Sequence, residues 1–105
     1  MKLITILAFL MLTNPELENL DAEAEKIQFS GTVIEELTGE PVPGAPIYIK
    51  ETNQEIFTDF DGNFTIENFT PGTYNLEISF VSFETEELSE LLIDRENSSM
   101  LIRLN

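Results

Sequence analysis

Thr58-Asp59-Phe60-Asp61-Gly62-Asn63-Phe64-Thr65 is the stretch that decides the fold of this 105-residue chain. Gly62 can adopt a positive φ, and the side chains of Asp61 and Asn63 can hydrogen-bond neighbouring backbone groups, so these residues predict a tight turn. Segments that alternate apolar and polar residues lie on both sides of it, at 55–58 and 64–67. We therefore predict a β-hairpin at this position.

Further alternating segments predict the rest of the architecture. Apolar or glycine residues occupy every second position of 27–33 and of 74–80, which gives each segment one apolar face, and 74–80 is expected to be a central strand. Residues 35–45 are rich in proline and glycine and predict a structured loop. Residues 84–93 mix strand-like and helix-like spacing, with leucines as possible anchors, and 100–104 is predicted to be the last strand. About seven short strands separated by turn residues predict an antiparallel β-sandwich.

Length and composition bound the possible functions. Hydrophobic residues make up 42% of the chain, which is enough for one domain with its own core. The formal net charge of −15, from 20 acidic and 5 basic residues, would repel a phosphate backbone, so nucleic acid is not expected as a partner. Because the chain has neither Cys nor His, it can form no disulfide, thiol nucleophile, imidazole base or Cys/His zinc site. We expect no cofactor.

The first 26 residues are predicted to be an export signal followed by an acidic tether. Met1–Leu12 carries a lysine at its start and continues as an apolar run, which has the length of a signal-peptide core and is too short to span a bilayer. The alternative is that Met1–Leu12 forms a hydrophobic helix that stays docked on the domain. We predict removal of the signal, a domain over 27–105, and no membrane span in the mature protein.

Four ordered motifs over Ile27 to Asn105 resemble the carboxypeptidase-regulatory-like domain. The motifs are Gly31-Thr32-Val33, Thr38 to Ala45 before Ile47, Thr58 to Phe64, and Pro71 to Tyr74 followed by Phe83. Domains of this family are transthyretin-like, or prealbumin-like, β-sandwiches, so the resemblance implies an all-β, Greek-key-like fold. The sequence departs from many members at Ser82, where they have glycine.

The resemblance implies a non-catalytic module. Such domains accompany metallocarboxypeptidases, and related copies lie at the N-terminus of TonB-dependent outer-membrane transporters. We therefore expect an exported, non-enzymatic protein, located in the periplasm, at the outer-membrane surface or outside the cell, that supports or contacts a protein partner in the cell envelope. A carbohydrate-binding module and a detached N-terminal domain of a TonB-dependent transporter stay open as alternatives. A hydrolase would need two carboxylates that converge in a pocket, whereas adjacent pairs such as Glu86 and Glu87 point to opposite faces of a strand.

Two groups of residues are candidates for a binding site. Asp59, Asp61 and Asn63 place three oxygen-bearing side chains in one turn, which suggests calcium, but their spacing does not fit an EF-hand, and turn formation explains them without metal. The second group is aromatic, and two accounts of it stay open: packing in the core or as a hydrophobic plug between the sheets, and a platform for a sugar ring or a partner loop. Its members are Tyr48, Phe57, Phe60 and Phe69.

Overall fold

The computed structural model describes residues 26–105, which form a sandwich of seven strands and contain no helix long and apolar enough to cross a membrane. The strands are β1 (Ile27–Glu35), β2 (Pro46–Ile49), β3 (Gln54–Phe57), β4 (Asn63–Phe69), β5 (Gly72–Ile78), β6 (Glu86–Ile93) and β7 (Ser99–Leu104). Sheet A has the order β4-β1-β7 and sheet B the order β3-β2-β5-β6. The predicted all-β, Greek-key-like sandwich is confirmed.

Strand pairing agrees with the predicted antiparallel arrangement in all but one case. The pairs β1–β4, β2–β3, β2–β5 and β5–β6 are antiparallel, whereas β1 and β7 run parallel. β5 is an interior strand of sheet B, as predicted. The predicted export signal and tether, apart from Lys26, lie outside the described residues and stay a prediction.

The core lies between the alternating inner faces of the two sheets. The inward positions of β1 and β5 are those that the alternation predicted, namely Phe29, Gly31, Val33, Tyr74, Leu76 and Ile78. Aromatic rings join the sheets at one end of the core, where the ring centroid of Phe69 on β4 lies 4.7 Å from that of Tyr74 on β5. Burial of these faces on both sheets is the main stabilising contribution available to a chain without disulfides.

Gly31 allows the ring of Phe64 to pack against β1. The two residues are opposite each other in the β1–β4 register. A Cβ at position 31 would lie 2.5 Å from Cζ of Phe64 and 2.8 Å from the carbonyl oxygen of Met100, and both distances are too short for real contacts. The glycine of the first family motif is therefore needed for space, since its φ is not positive.

The turn at Asp59–Asn63 is tight, but the predicted hairpin is wrong. The N–H of Asp59 donates to the carbonyl oxygen of Asn63 (2.8 Å), and Gly62 has a φ of +78°, as the turn residues predicted. However, β3 before the turn pairs with β2 in sheet B, whereas β4 after it pairs with β1 in sheet A. The turn therefore carries the chain between the sheets. Alternation identifies strands but does not state their partners, so both arrangements give the same sequence pattern.

A β-bulge explains the mixed spacing of residues 84–93. Between the pairs Tyr74–Leu91 and Leu76–Leu88, one residue of β5, Asn75, lies opposite two residues of β6, Ser89 and Glu90. Leu88 and Leu91 consequently both pack against the core although they are three positions apart, a spacing that is typical of a helix. Leu92, the third possible anchor, is exposed.

Asn75 lies opposite this bulge and joins β5 to β6 and to the turn between β2 and β3. Its side-chain oxygen accepts a hydrogen bond from the N–H of Glu90 (2.9 Å), and its carbonyl oxygen accepts one from Lys50 (3.0 Å). Its N–H donates to one carboxylate oxygen of Glu51 (2.8 Å), and its side-chain amide donates to the other. These two donors, the backbone N–H foremost, hold the pKa of Glu51 below its ordinary value of 4.5.

The lowered pKa of Glu51 predicts a pH-dependent contribution to stability. A group with a lowered pKa in the folded state stabilises the fold above its unfolded pKa, and this contribution disappears as pH falls through the folded pKa. We expect Glu51→Gln to lower the thermal unfolding midpoint at neutral pH, and the difference from wild type to shrink as pH falls from about 7 to about 3. Thermal unfolding at several pH values measures this difference, and an equal difference at both ends would contradict the prediction.

Gly62→Ala and Gly39→Ala form a matched pair that tests how the turn is docked. The two glycines have nearly equal φ values, +78° and +77°. A Cβ on Gly62 would lie 2.7 Å from the carbonyl oxygen of Val33, whereas nothing lies within 4 Å of a Cβ on Gly39. We expect Gly39→Ala to cost about 1 kcal/mol for the backbone conformation alone and Gly62→Ala about 3 kcal/mol, because overlap with β1 adds to it. Urea unfolding measures both, and equal losses would contradict this account.

Candidate functional site

The four aromatic candidates do not form one surface, because Phe69 is in the core. Only 4% of Phe69 is exposed, and its ring packs between those of Phe29 and Tyr74, so its place among the candidates for a binding surface is wrong. The cause is a bulge in β4, where the register against β1 shifts after Ile66 and Asn68 has a φ of +58°. The extra residue turns position 69 to the inner face. The core alternative therefore holds for Phe69.

Tyr48 lies on the outer face of sheet B, in a row that is otherwise acidic. Its neighbours across the sheet are Glu55 on β3 and Glu77 on β5, and Glu77 in turn lies opposite Glu87 on β6. The phenol of Tyr48 donates a hydrogen bond to the side-chain oxygen of Asn53 (2.5 Å). This face thus presents one half-buried ring among carboxylates, on an open surface with a shallow pocket of about 200 Å³.

Phe57 and Phe60 are on the surface, as a binding platform would require, and Phe60 is the more exposed. Phe57 lies on β3 opposite Pro46 and is 60% exposed, whereas Phe60 lies at the tip of the crossing turn and is 92% exposed. Phe60 contributes to a shallow apolar depression of about 440 Å³. We define the Phe60 surface as the residues that line this depression: Pro43, Gly44, Thr58, Asp59 and Phe60.

Thr58 holds the base of the Phe60 surface in place. Thr58 is 6% exposed, and its hydroxyl donates to the carbonyl oxygen of Val42 (2.6 Å) and accepts from the N–H of Ala45 (2.8 Å). Its backbone adds hydrogen bonds to Ala45 (3.0 Å) and to the N–H of Gly44 (3.0 Å). The loop before β2 is therefore joined to the turn after β3 by one buried threonine. Sequence reasoning missed this contact; the only signal was that both segments belong to the family motifs.

Of the oxygen-bearing side chains of the turn, that of Asp59 holds the turn itself and that of Asn63 bonds the turn to β1. Asp59 Oδ1 accepts hydrogen bonds from the N–H groups of Asp61 and Asn63, both at 2.9 Å. The side-chain oxygen of Asn63 accepts a hydrogen bond from the hydroxyl of Thr32 (2.6 Å). Among residues 26–105, no three acidic side chains converge as metal ligands would. The turn makes Asp59 a structural residue, and calcium stays a weak candidate.

The fold and the site define a β-sandwich module with an aromatic surface at one end. Residues 29–104 match the CarboxypepD_reg-like domain, so the chain belongs to that family. The chain is 37% identical over 70 residues to the TonB-dependent receptor SusC of Bacteroides thetaiotaomicron, an alignment that covers 67% of this chain and 7% of the receptor. It is 31% identical over 85 residues to the TonB-dependent receptor P39 of Formosa agariphila, covering 81% of this chain and 8% of the receptor. The chain therefore spans less than a tenth of either relative.

Two solved structures share the fold at 18% sequence identity. One is a chain of a type II cohesin–X-dockerin complex from Acetivibrio cellulolyticus, with a TM-score of 0.60 over 74% of this chain and 56% of that chain. The other is a candidate carbohydrate-binding protein from Bacteroides uniformis, with a TM-score of 0.62 over 76% of this chain and 41% of that chain. At this identity, the likeness shows a common sandwich architecture.

Thr58→Val tests the contact that supports the Phe60 surface. The substitution keeps the shape of the side chain but leaves the carbonyl oxygen of Val42 and the N–H of Ala45 without their hydroxyl partner inside the protein. We expect a loss of about 2 to 3 kcal/mol in the free energy of unfolding, because unsatisfied buried groups are costly. Thr65→Val on the exposed face of β4 is the control and should change stability by less than about 0.5 kcal/mol. Equal effects in denaturant unfolding would show that the Thr58 hydroxyl does not hold the loop.

Proposed function

We propose that this chain is an exported, non-enzymatic β-sandwich module that binds a protein partner in the cell envelope through the Phe60 surface. The observation that carries the proposal is the near-complete exposure of Phe60 on a turn whose two ends, Thr58 and Gly62, are buried and hydrogen-bonded. A large aromatic ring in water is unfavourable unless a partner covers it, and aromatic residues of this kind contribute strongly to interfaces.

The support beneath Phe60 favours binding. Asp59 and Gly62 close the turn, Val33 donates its N–H to the carbonyl oxygen of Gly62 (2.8 Å), and Thr58 ties the turn to the neighbouring loop. Such a turn loses little conformational entropy when a partner binds, so more of the contact free energy contributes to affinity. The depression beside the ring, with Pro43 on its wall, offers a place for one apolar side chain of the partner.

The envelope location rests on two independent supports. The relatives are TonB-dependent receptors, which suggests an outer-membrane setting, and Met1–Leu12 has the composition of an export signal. The net charge of −15 disfavours nucleic acid as a partner and favours solubility. The non-enzymatic assignment rests on the absence of Cys and His from the sequence and on the family.

Affinity capture from solubilised envelope fractions tests the proposal with a matched pair of variants. We expect the wild type and Phe57→Ser to recover the same specific partner, and Phe60→Ser to recover at least about tenfold less of it. Both substitutions remove an exposed phenyl ring, so their thermal unfolding should match that of wild type. Equal recovery by all three proteins, or no specific partner in any, would overturn the proposal.

A carbohydrate-binding module is the second candidate, and the Tyr48 row favours it. A ring with carboxylates on both sides can stack on a sugar and accept hydrogen bonds from its hydroxyl groups. The fold likeness to a candidate carbohydrate-binding protein is in keeping with this reading. Glycan-array binding that Tyr48→Ala abolishes and Phe60→Ser leaves intact would favour this function over the first.

A detached N-terminal domain of a TonB-dependent transporter is the third candidate. The observation behind it is the 37% identity to a receptor of which the chain spans only 7%. Co-purification with a transporter encoded by a neighbouring gene would support this reading, and a partner of another class would exclude it.

A further inference from the structure

Three of the four edge strands in the described sandwich carry features that discourage another strand from pairing with them. An edge exposes free backbone N–H and C=O groups, and bulges, charges and short length protect it. β3 has only four residues, and β4 contains the bulge at Asn68. β6 contains the bulge at Glu90 and also carries Glu86 and Glu87. These edges are poor sites for strand addition.

The fourth edge, β7, lacks these features. It has six residues, pairs with β1 without a register shift, and contains no acidic residue. Arg103 is its one charged residue, and Leu101 is 46% exposed on the outer face. In a chain with a net charge of −15, an edge without carboxylates and with an exposed leucine is distinctive.

The hydrogen-bond pattern shows which backbone groups of β7 face outward. Ser30 donates its N–H to the carbonyl oxygen of Ser98 (2.9 Å), and Glu36 donates its N–H to that of Leu104 (2.8 Å). In a parallel pair, alternate residues direct both their N–H and their C=O to the same neighbour. Even-numbered positions of β7 therefore face β1, and Ser99, Leu101 and Arg103 direct their backbone groups away from it. No described strand pairs along that side.

We propose that two copies of this chain associate through antiparallel pairing of their β7 strands about a two-fold axis at Leu101. In this register, Leu101 of one copy lies opposite Leu101 of the other, and Arg103 of each copy lies opposite Ser99 of the other. All three positions direct backbone groups to the edge, so the pairing forms a ladder of about six backbone hydrogen bonds. Sheet A then continues across the axis into the sheet of the second copy.

Charge and apolar contacts favour a second copy as the occupant. The register places no two like charges opposite each other, because Arg103 faces a serine, whereas pairing along β6 would bring glutamates together. The two Leu101 side chains cover each other on the outer face. On the inner face Met100, which is only partly buried, lies opposite Ile102 of the other copy. The edge is therefore self-complementary, as a two-fold interface requires.

A single engineered cysteine tests the register directly, because the natural chain contains none. Hydrogen-bonded antiparallel partners have Cα atoms about 5.5 Å apart, which suits a disulfide. Under mild oxidation of the full chain at about 0.1 mM, we expect Leu101→Cys to form mostly covalent dimer. Thr65→Cys, on the same outer face but on β4, is the control and should stay largely monomeric. Equal cross-linking of the two variants would overturn the register.

Sedimentation equilibrium of the full chain tests the association without cross-linking. We expect the wild type to be dimeric at about 0.1 mM and Leu101→Pro to be monomeric, since proline removes an N–H that faces the open edge and spares the bonds to β1. A monomeric wild type, or a dimer that Leu101→Pro leaves unchanged while its thermal unfolding remains cooperative, would overturn the proposal. If Leu101→Pro fails to fold, the cross-linking of Leu101→Cys against Thr65→Cys and the molecular mass of the wild type decide whether β7 mediates association.

Discussion

The hydrogen bonds of one buried threonine and one buried glycine determine how the two sheets are connected. Thr58 uses its hydroxyl and its backbone to hold the loop before β2, and Gly62 accepts the N–H of Val33 at the end of β1. Between them the chain leaves sheet B and enters sheet A. The turn is bonded to both sheets, so β3 and β4 do not pair with each other. Instead, β4 pairs with β1 in a register that places Phe64 over Gly31. The core packing thus depends on this crossing.

The same constraint creates the candidate site. A turn that is held at its base by Thr58 and at its end by Gly62 leaves the residues between them no inward position. Phe60 therefore lies in solvent, whereas Phe29, Phe64 and Phe69 lie on strands and are buried on the inner face of sheet A. The stability of the crossing and the presentation of the aromatic ring are consequently two aspects of one local structure, and this links the fold to the proposed interaction.

Charge is distributed unevenly over the sandwich. The surfaces therefore differ in the kind of partner that each could bind. Sheet B carries Glu55, Glu77 and Glu87 in one row on its outer face, so it would favour cations, basic groups or sugar hydroxyls. The outer face of sheet A is mainly hydroxyl and amide side chains, and its β7 edge has a single arginine. The apolar Phe60 surface lies at one end, between the two faces. Association through β7 would leave both the Tyr48 row and the Phe60 surface open, because neither belongs to sheet A.

The sequence by itself determined most of the strands, the inner faces of β1 and β5 and the positive φ of Gly62, because the period of two and the turn residues are local properties of the chain. The ordered motifs determined the family, and composition excluded thiol, imidazole and nucleic-acid chemistry. Only the tertiary structure decided which strands pair, since alternation around Asp59–Asn63 is the same for a hairpin and for a crossing between sheets. It also decided the inward position of Phe69 and the common face of Leu88 and Leu91, because a bulge changes the parity of a strand and is set by the partner strand. The exposure of Phe60 and the open edge of β7 follow from contacts between segments distant in sequence, which no local pattern records.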